Sequence, residues 1–313
     1  MSMARGADRA ALTARAALAS VAVALLLLGL KAWAALETGS VAMLASLADT
    51  GLDLVASLVT LFGVRVAGRP ADADHRFGHG KAEALAALFQ VAVISVSAVG
   101  IGWQAMQRLL SGATSANAEY GIAVSVIAIA ATLGLTAYQR AVIRRTGSVA
   151  ILTDRLHYQS DLLLNLSVIA ALALDQYFGL TGADPLFGLA IALWLLFGAL
   201  RASTRAIDQL MDKEWPDDRR RRVVEIAARH PEVRGVHDLR TRSSGVTDHI
   251  QFHIWIDPGM TVAQAHRVVE AIETELAREF AGADVLIHLD PEGQVDQPDN
   301  PLAETDETEG LRP

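Results

Sequence analysis

Apolar residues dominate the first two-thirds of the chain in six long blocks, at about 14–36, 40–66, 81–110, 120–140, 148–175 and 183–203. Each is near or above the ~20 residues that a helix needs to cross the hydrocarbon layer of a bilayer. After residue 205 the pattern changes. An amphipathic helix is expected over 217–229, opened by Pro216, Asp217 and Asp218 and rich in arginine from Arg219 to Arg222. Two strands follow, and in the second Ile250, Phe252, Ile254 and Ile256 alternate with His249, Gln251, His253 and Trp255, a period of two with one apolar face. Thr261 to Gln264 has the form of a helix-opening capping box, and Asp284 to His288 reads as a last strand. The expected architecture is a membrane α-helical domain of six transmembrane helices, followed by a small α+β domain of order α-β-β-α-β.

Domain limits follow from these blocks: residues 1–13 as an N-terminal segment, 14–208 as the six-helix transmembrane domain, 209–291 as the aqueous domain and 292–313 as a tail. The tail carries Asp296, Asp299, Glu304, Asp306, Glu307 and Glu309 among prolines, so disorder is expected there. Ala32, Trp33 and Ala34 resemble a leader cleavage site, but the apolar run before them is long for a signal sequence. Basic residues fix the orientation. Arg5, Arg9 and Arg15, then Arg65, Arg69, Arg76 and Lys81, then Arg140, Arg144 and Arg145, then Arg201 and Arg205 lie at one set of connections, while the alternate connections hold no Lys or Arg. The basic set is expected to be cytoplasmic, with both termini. Lys31 and Arg108, near outer helix ends, are expected to snorkel.

The chain contains no cysteine, so thiolate metal sites and disulfides are excluded. Any metal site must use imidazole and carboxylate, a donor set suited to zinc, iron, manganese or nickel. Asp49 and Asp53 lie in span two and His157 and Asp161 in span five, each pair at i,i+4 and so on one face of its helix. On antiparallel helices the four reach similar depth and form a plausible tetrahedral shell for zinc. A structural role for buried carboxylates needs basic partners at that depth, and none is expected: Arg155 lies nearer the cytoplasmic end, and the middles of the other spans are nearly free of Arg and Lys. The loop between spans two and three holds Asp72, His75 and His79, which could ligate a second ion or be a solvated polar loop. In the aqueous domain, His230, His237, His249, His253, His266 and His288, with Asp290, favour a further cluster.

Together, Asp49-xxx-Asp53, Asp72-xx-His75-xxx-His79-Gly-Lys81, His157-Tyr-Gln-Ser-Asp161 and Val236-His-Asp-Leu-Arg-Thr-Arg242 resemble the cation diffusion facilitators over about residues 15–291. The resemblance implies a metal/proton antiporter that exports Zn²⁺, with Fe²⁺ or Cd²⁺ as further candidate substrates, and no enzymatic activity. It implies a homodimer in the inner membrane whose partners are the lipid bilayer, divalent metal ions and protons, not nucleic acid. It implies a transport site at Asp49, Asp53, His157 and Asp161 and a loop site at Asp72, His75 and His79. His237, His253, His266, His288 and Asp290 match a binuclear site in a metallochaperone-like cytoplasmic domain, where zinc would be structural. Lys81 and Asp212 match a charge pair that holds the dimer together. Leu289 departs from the pattern, standing where the relative has a polar residue; His230 and His249 match no ligand and are expected at the surface.

Two rival readings come from other classes. An intramembrane aspartyl protease needs two carboxylates on different helices sharing a proton, whereas Asp49 and Asp53 share one helix, and no His-Glu-x-x-His motif is present for a zinc protease. A membrane-anchored metal sensor needs no ligands at bilayer depth.

Overall fold

The computed structural model describes residues 2–38, 41–111, 122–178, 183–245, 247–294 and 306–308. Contacts divide the chain into two compact units, one of Arg9–Ile207 and one of Met1–Asp8 with Asp208–Pro313.

The larger unit is built of α1 (Ser2–Thr38), α2 (Val41–Ala67), α3 (Ala82–Ser111), α4 (Ile122–Thr146), α5 (Val149–Phe178) and α6 (Ala183–Leu210). Among the described residues, α1, α2, α3, α4 and α6 are long and apolar enough to cross a membrane. The remaining expected span, the fifth, is α5, which is not in that set among the described residues. It is as long as α3, and Asp154, Arg155, His157 and Asp161 lie within its first half.

Small side chains allow close packing. Ala16, Ala17 and Val21 of α1, Leu61 and Val64 of α2, Val142 of α4 and Ala150 and Ile151 of α5 form one buried cluster. Ile94 and Ala98 of α3 meet Leu195 and Ala199 of α6 in a second. At Gly63 an added methyl group would collide with Ala86, so α2 and α3 touch nearly backbone to backbone.

The start of α5 is anchored by a buried acid. Glu83, 6% exposed, accepts a hydrogen bond from the Ser148 hydroxyl and another from the Ala150 amide at 3.4 Å. A carboxylate there satisfies amides that a helix start leaves free and complements its dipole. Arg9 of α1 donates to the Thr146 carbonyl beside it. Lys31 does not simply snorkel: its ammonium donates to Thr50 of α2 at 2.6 Å. The buried hydroxyl of Thr50 draws it inward, so one basic group does come beside the acidic face of α2.

The smaller unit has the expected order: α7 (Asp217–Ala228), β1 (Gly235–Ser243), β2 (Asp248–Ile256), α8 (Val262–Glu279) and β3 (Asp284–Pro291). The sheet runs β1-β2-β3, with β1 antiparallel and β3 parallel to the central β2. Val236, Leu239, Ile250, Phe252, Ile254, Ile256 and Ile287 form its apolar face, covered by Val223, Val224 and Ile226 of α7 and Val268, Val269, Ile272 and Leu276 of α8. The capping box at Thr261 and Gln264 is present.

Two expectations change. His249, expected at the surface, is buried at 4% exposure, because its place on β2 opposite Asp284 sets its Nδ1 3.2 Å from that carboxylate. Within the tail, Asp306–Thr308 lie against the edge of β1: the Glu307 amide donates to the Val236 carbonyl at 2.8 Å and the Val236 amide donates to Asp306 at 3.4 Å. The expected disorder of 295–305 and 309–313 lies outside the described residues.

Candidate metal centres

Three clusters of imidazole and carboxylate form among the described residues, each with ligand atoms within 4.8 Å of one another. The first joins α2 and α5. His157 Nε2 lies 2.9 Å from Asp53 Oδ1 and 4.0 Å from Asp161 Oδ2. Asp161 follows His157 by one turn, and Asp53 arrives from the facing helix. The His157 ring is 4% exposed, yet its Nε2 has no hydrogen bond of proper geometry, the Asp53 oxygen being close but out of line. A ring nitrogen so placed beside two carboxylates has the arrangement of ligands around a common ion rather than of a donor and its acceptor. Asp49, the fourth expected ligand, lies outside this group. It is exposed on α2, one turn before Asp53.

The second cluster is the loop after α2. Asp72 Oδ1 accepts from the backbone amides of His75 at 2.7 Å and Asp74 at 3.1 Å, a local turn that fixes the carboxylate. His75 Nδ1 is 3.3 Å from Oδ1 and His79 Nε2 is 3.3 Å from Oδ2, with the rings 4.4 Å apart. The His75 amide holds the Asp72 carboxyl below the usual range, with further help from the Asp74 amide. Asp72 thus keeps its negative charge into mildly acidic conditions.

The third cluster is made by strand register. His237, His253 and His288 stand opposite one another across β1, β2 and β3. Each is offset by one residue from an apolar core position, so the row occupies the face turned away from the helices. Asp290 draws the row together. Its Oδ2 lies 3.2 Å from His237 Nε2 and 2.8 Å from His253 Nδ1, and its Oδ1 lies 3.1 Å from His288 Nε2. His237 also stacks on Trp255 at 4.3 Å. His266, expected among these ligands, is not brought to the row. It lies on α8, exposed and 3.5 Å from Glu270, because its neighbour Ala265 faces the core and directs it outward. Leu289 packs against the apolar core.

Sequence reasoning missed Asp238, whose carboxylate approaches the other nitrogen of His253 at 3.6 Å while Arg240 holds it at 2.8 Å. It sits at an irregularity in β1 with a positive φ of 47°. Asp beside His in Val236-His-Asp was a visible signal, but strand alternation places the two on opposite faces, and the irregularity reverses that. Asp212 pairs with Arg242 at 3.4 Å within its own unit, and Lys81 is half-buried just before α3.

Comparison with known proteins gives a consistent picture. Residues 17–211 match the cation efflux transmembrane domain, and residues 215–292 match the cytoplasmic domain of cation efflux proteins. The chain is 46% identical over 284 residues to the cation-efflux pump FieF of Cronobacter sakazakii, covering 91% of this chain and 94% of the relative. It is 47% identical over 282 residues to FieF of Serratia proteamaculans, covering 90% and 94%. Against FieF of Escherichia coli the identity is 44% over 280 residues, covering 90% and 93%.

Proposed function

This chain belongs to the cation-efflux family, transporters rather than enzymes, and from that premise we propose that it exports Zn²⁺ from the cytoplasm in exchange for protons. The observation that carries the reading is the meeting of Asp53, His157 and Asp161 inside the helical unit, with the buried His157 Nε2 lacking a hydrogen bond. Two carboxylates neutralise a dication, and imidazole favours zinc over harder ions such as manganese. Fe²⁺ and Cd²⁺ fit the same donors. Asp49 supplies the fourth ligand once α2 adjusts. Metal and proton compete for the imidazole, which binds an ion only when neutral, and this competition links export to proton entry.

Six helices span the inner membrane in this reading, with both termini cytoplasmic. The loop residues Asp72, His75 and His79 take up metal at the cytoplasmic face. The His237, His253 and Asp290 cluster, with His288 beside Asp290, holds zinc as a structural ion: its donors are nitrogen and oxygen at close range, a set zinc accepts. The protein works as a homodimer, supported by its match to a dimerisation-type cytoplasmic domain. Lys81 and Asp212 contribute to that dimer, so Lys81→Ala lowers the yield of crosslinked dimer; an unchanged yield removes the pair from this account.

The central test is metal flux into proteoliposomes containing a pH dye. Asp53→Ala removes one of the carboxylates at the ion and is expected to abolish zinc flux with insertion intact. Zinc transport at the normal rate by this variant refutes the site.

A further inference from the structure

One buried acid in the helical unit is outside all three clusters. Asp154 of α5 lies three residues before His157 and is fully buried. Its Oδ2 accepts from the Ser20 hydroxyl of α1 at 2.6 Å and from the Gln139 side-chain amide of α4 at 2.8 Å. Gln139 also donates to Ser20 at 3.0 Å, closing a ring of three side chains from three helices. Ser20 and Gln139 are themselves fully buried. Asp154 Oδ1 and Gln139 Oε1 have no partner.

The charged surroundings of this carboxyl are one-sided. From α1 it faces Ser20 and from α4 Gln139, neither of which titrates. From α2 the nearest link is Ser57, which meets the Tyr158 hydroxyl at 2.9 Å; that hydroxyl also donates to the Ser20 carbonyl at 3.0 Å. From α3, Glu83 is engaged at Ser148. On α5 itself, the Arg155 guanidinium turns away to the Thr136 carbonyl at 3.2 Å. The ionisable side chains one turn along are His157 and Tyr158, and beyond His157 lie Asp53 and Asp161. No Lys or Arg among the described residues forms an ion pair with Asp154. An ionised carboxylate with one bare oxygen, at this burial and with no cation, is strongly disfavoured. The same carboxyl as a neutral acid keeps both hydrogen bonds to Oδ2.

We propose that Asp154 is a proton-exchanging residue of the transport cycle, protonated when the Asp53–His157–Asp161 site is empty and ionised when a dication occupies it. The inference rests on the export reading above. Residues i and i+3 of a helix are neighbours, so an ion on His157 lies about one turn from Asp154 across a poorly screened interior. Arrival of the ion adds two positive charges. The O–H bond of the Asp154 carboxyl breaks, the carboxylate keeps the electron pair, and water entering with the ion accepts the proton. Departure of the ion reverses the step. Asp154 is thus a positioning residue for charge, not a ligand, and it adds one proton per ion to those exchanged at the ligands.

The test counts protons released when zinc binds to the purified full chain, in weak buffer with a pH indicator, for wild type and Asp154→Asn. Asparagine keeps the size of the side chain and an acceptor for Ser20 and Gln139. The expected result is one proton fewer per chain in the variant, with zinc affinity within a few-fold of wild type. Equal proton release overturns the proposal. Should Asp154→Asn fail to fold, infrared difference spectra of wild type, with and without isotope-labelled aspartate, decide the matter. Zinc should bleach a protonated-carboxyl band of aspartate from the wild type that persists in Asp53→Ala, where no ion is held beside His157. Bleaching that is equal in the two proteins, or absent from both, overturns the proposal. If wild type neither binds nor moves zinc, the export reading fails and this inference with it; normal transport with equal proton release removes Asp154 alone.

Discussion

Replacing Asp290 by asparagine tests the cytoplasmic cluster most directly, because one carboxylate organises three imidazoles at 3.2, 2.8 and 3.1 Å. The substitution keeps the side chain's size and removes its charge. A structural zinc site of four ligands contributes about 10–16 kcal/mol, or roughly 2.5–4 kcal/mol per ligand if shared evenly. At about 1.4 kcal/mol per factor of ten, losing one charged ligand weakens binding by about a hundredfold or more. The assay is thermal unfolding of a fragment of residues 209–308, which carries its own apolar core. At a free zinc concentration of ~100 Kd for wild type, zinc stabilises the fold by about 2.7 kcal/mol. For a domain of this size that raises the midpoint by roughly 10–20 °C. The variant at the same zinc concentration gains about 0.4 kcal/mol, roughly 2–3 °C. A variant midpoint that rises with zinc as far as wild type refutes the assignment of Asp290 as a ligand.

Three further outcomes follow from other contacts. Removing residues 301–313 deletes the Glu307–Val236 and Asp306–Val236 hydrogen bonds and should cost about 1 kcal/mol of stability in the cytoplasmic unit, read as a lower denaturant midpoint; an unchanged midpoint rules out a stabilising contact. Asp72, whose carboxyl lies below the usual carboxylate range, should still hold loop metal on mild acidification, so Asp72→Asn should weaken zinc binding there as at neutral pH; zinc titrations of Asp72→Asn and wild type across a pH series check this, and a variant that matches wild type in mild acid contradicts it. Gly51→Ala meets open space and should strengthen α2 by about 1 kcal/mol while slowing zinc flux; faster or equal flux argues against a need for flexibility there.

The legible part of the fold was the part set by local pattern. Long apolar blocks marked the helices, period two marked β2, and Thr261 with Gln264 marked the start of α8. Spacing singled out Asp53, His157 and Asp161, which the structure brings together, because i,i+4 pairs have few alternatives on a helix. It did not foresee that Asp49 stands apart from these three, exposed on α2, because a same-face argument carries no information about the neighbouring helix. Tertiary placement defeated it elsewhere. His249 is buried by its register with Asp284, Lys31 is drawn to Thr50 from a different helix, and Asp154 acquires its meaning from Ser20 and Gln139, distant in sequence. Asp238 escaped because an irregular strand breaks the alternation on which strand reasoning depends.

The three clusters use one chemical unit, a carboxylate oxygen facing imidazole nitrogens, on three scaffolds of different stiffness. The loop cluster is exposed, with Asp72 and His75 more than half accessible, so in the export reading ions would reach it and leave it without rearrangement. The strand cluster is locked by ladder hydrogen bonds, with Asp290 and His237 almost fully buried, which suits an ion that stays. In the export reading the helical cluster would do what neither of these does, holding a dication firmly and then letting it go to the other side. Its incompleteness supports that task. Asp53, His157 and Asp161 already converge, while Asp49 stands one turn away and outward, with Gly51 between it and Asp53. Glycine in a helix interior weakens the helix, and no neighbour within 4 Å requires its small size. In the export reading proposed above, a twist of α2 at that point would carry Asp49 inward to close the ligand shell, and the reverse twist would open it. Binding and release would then be a matter of helix geometry, which is the property an exporter needs and a static metal site lacks.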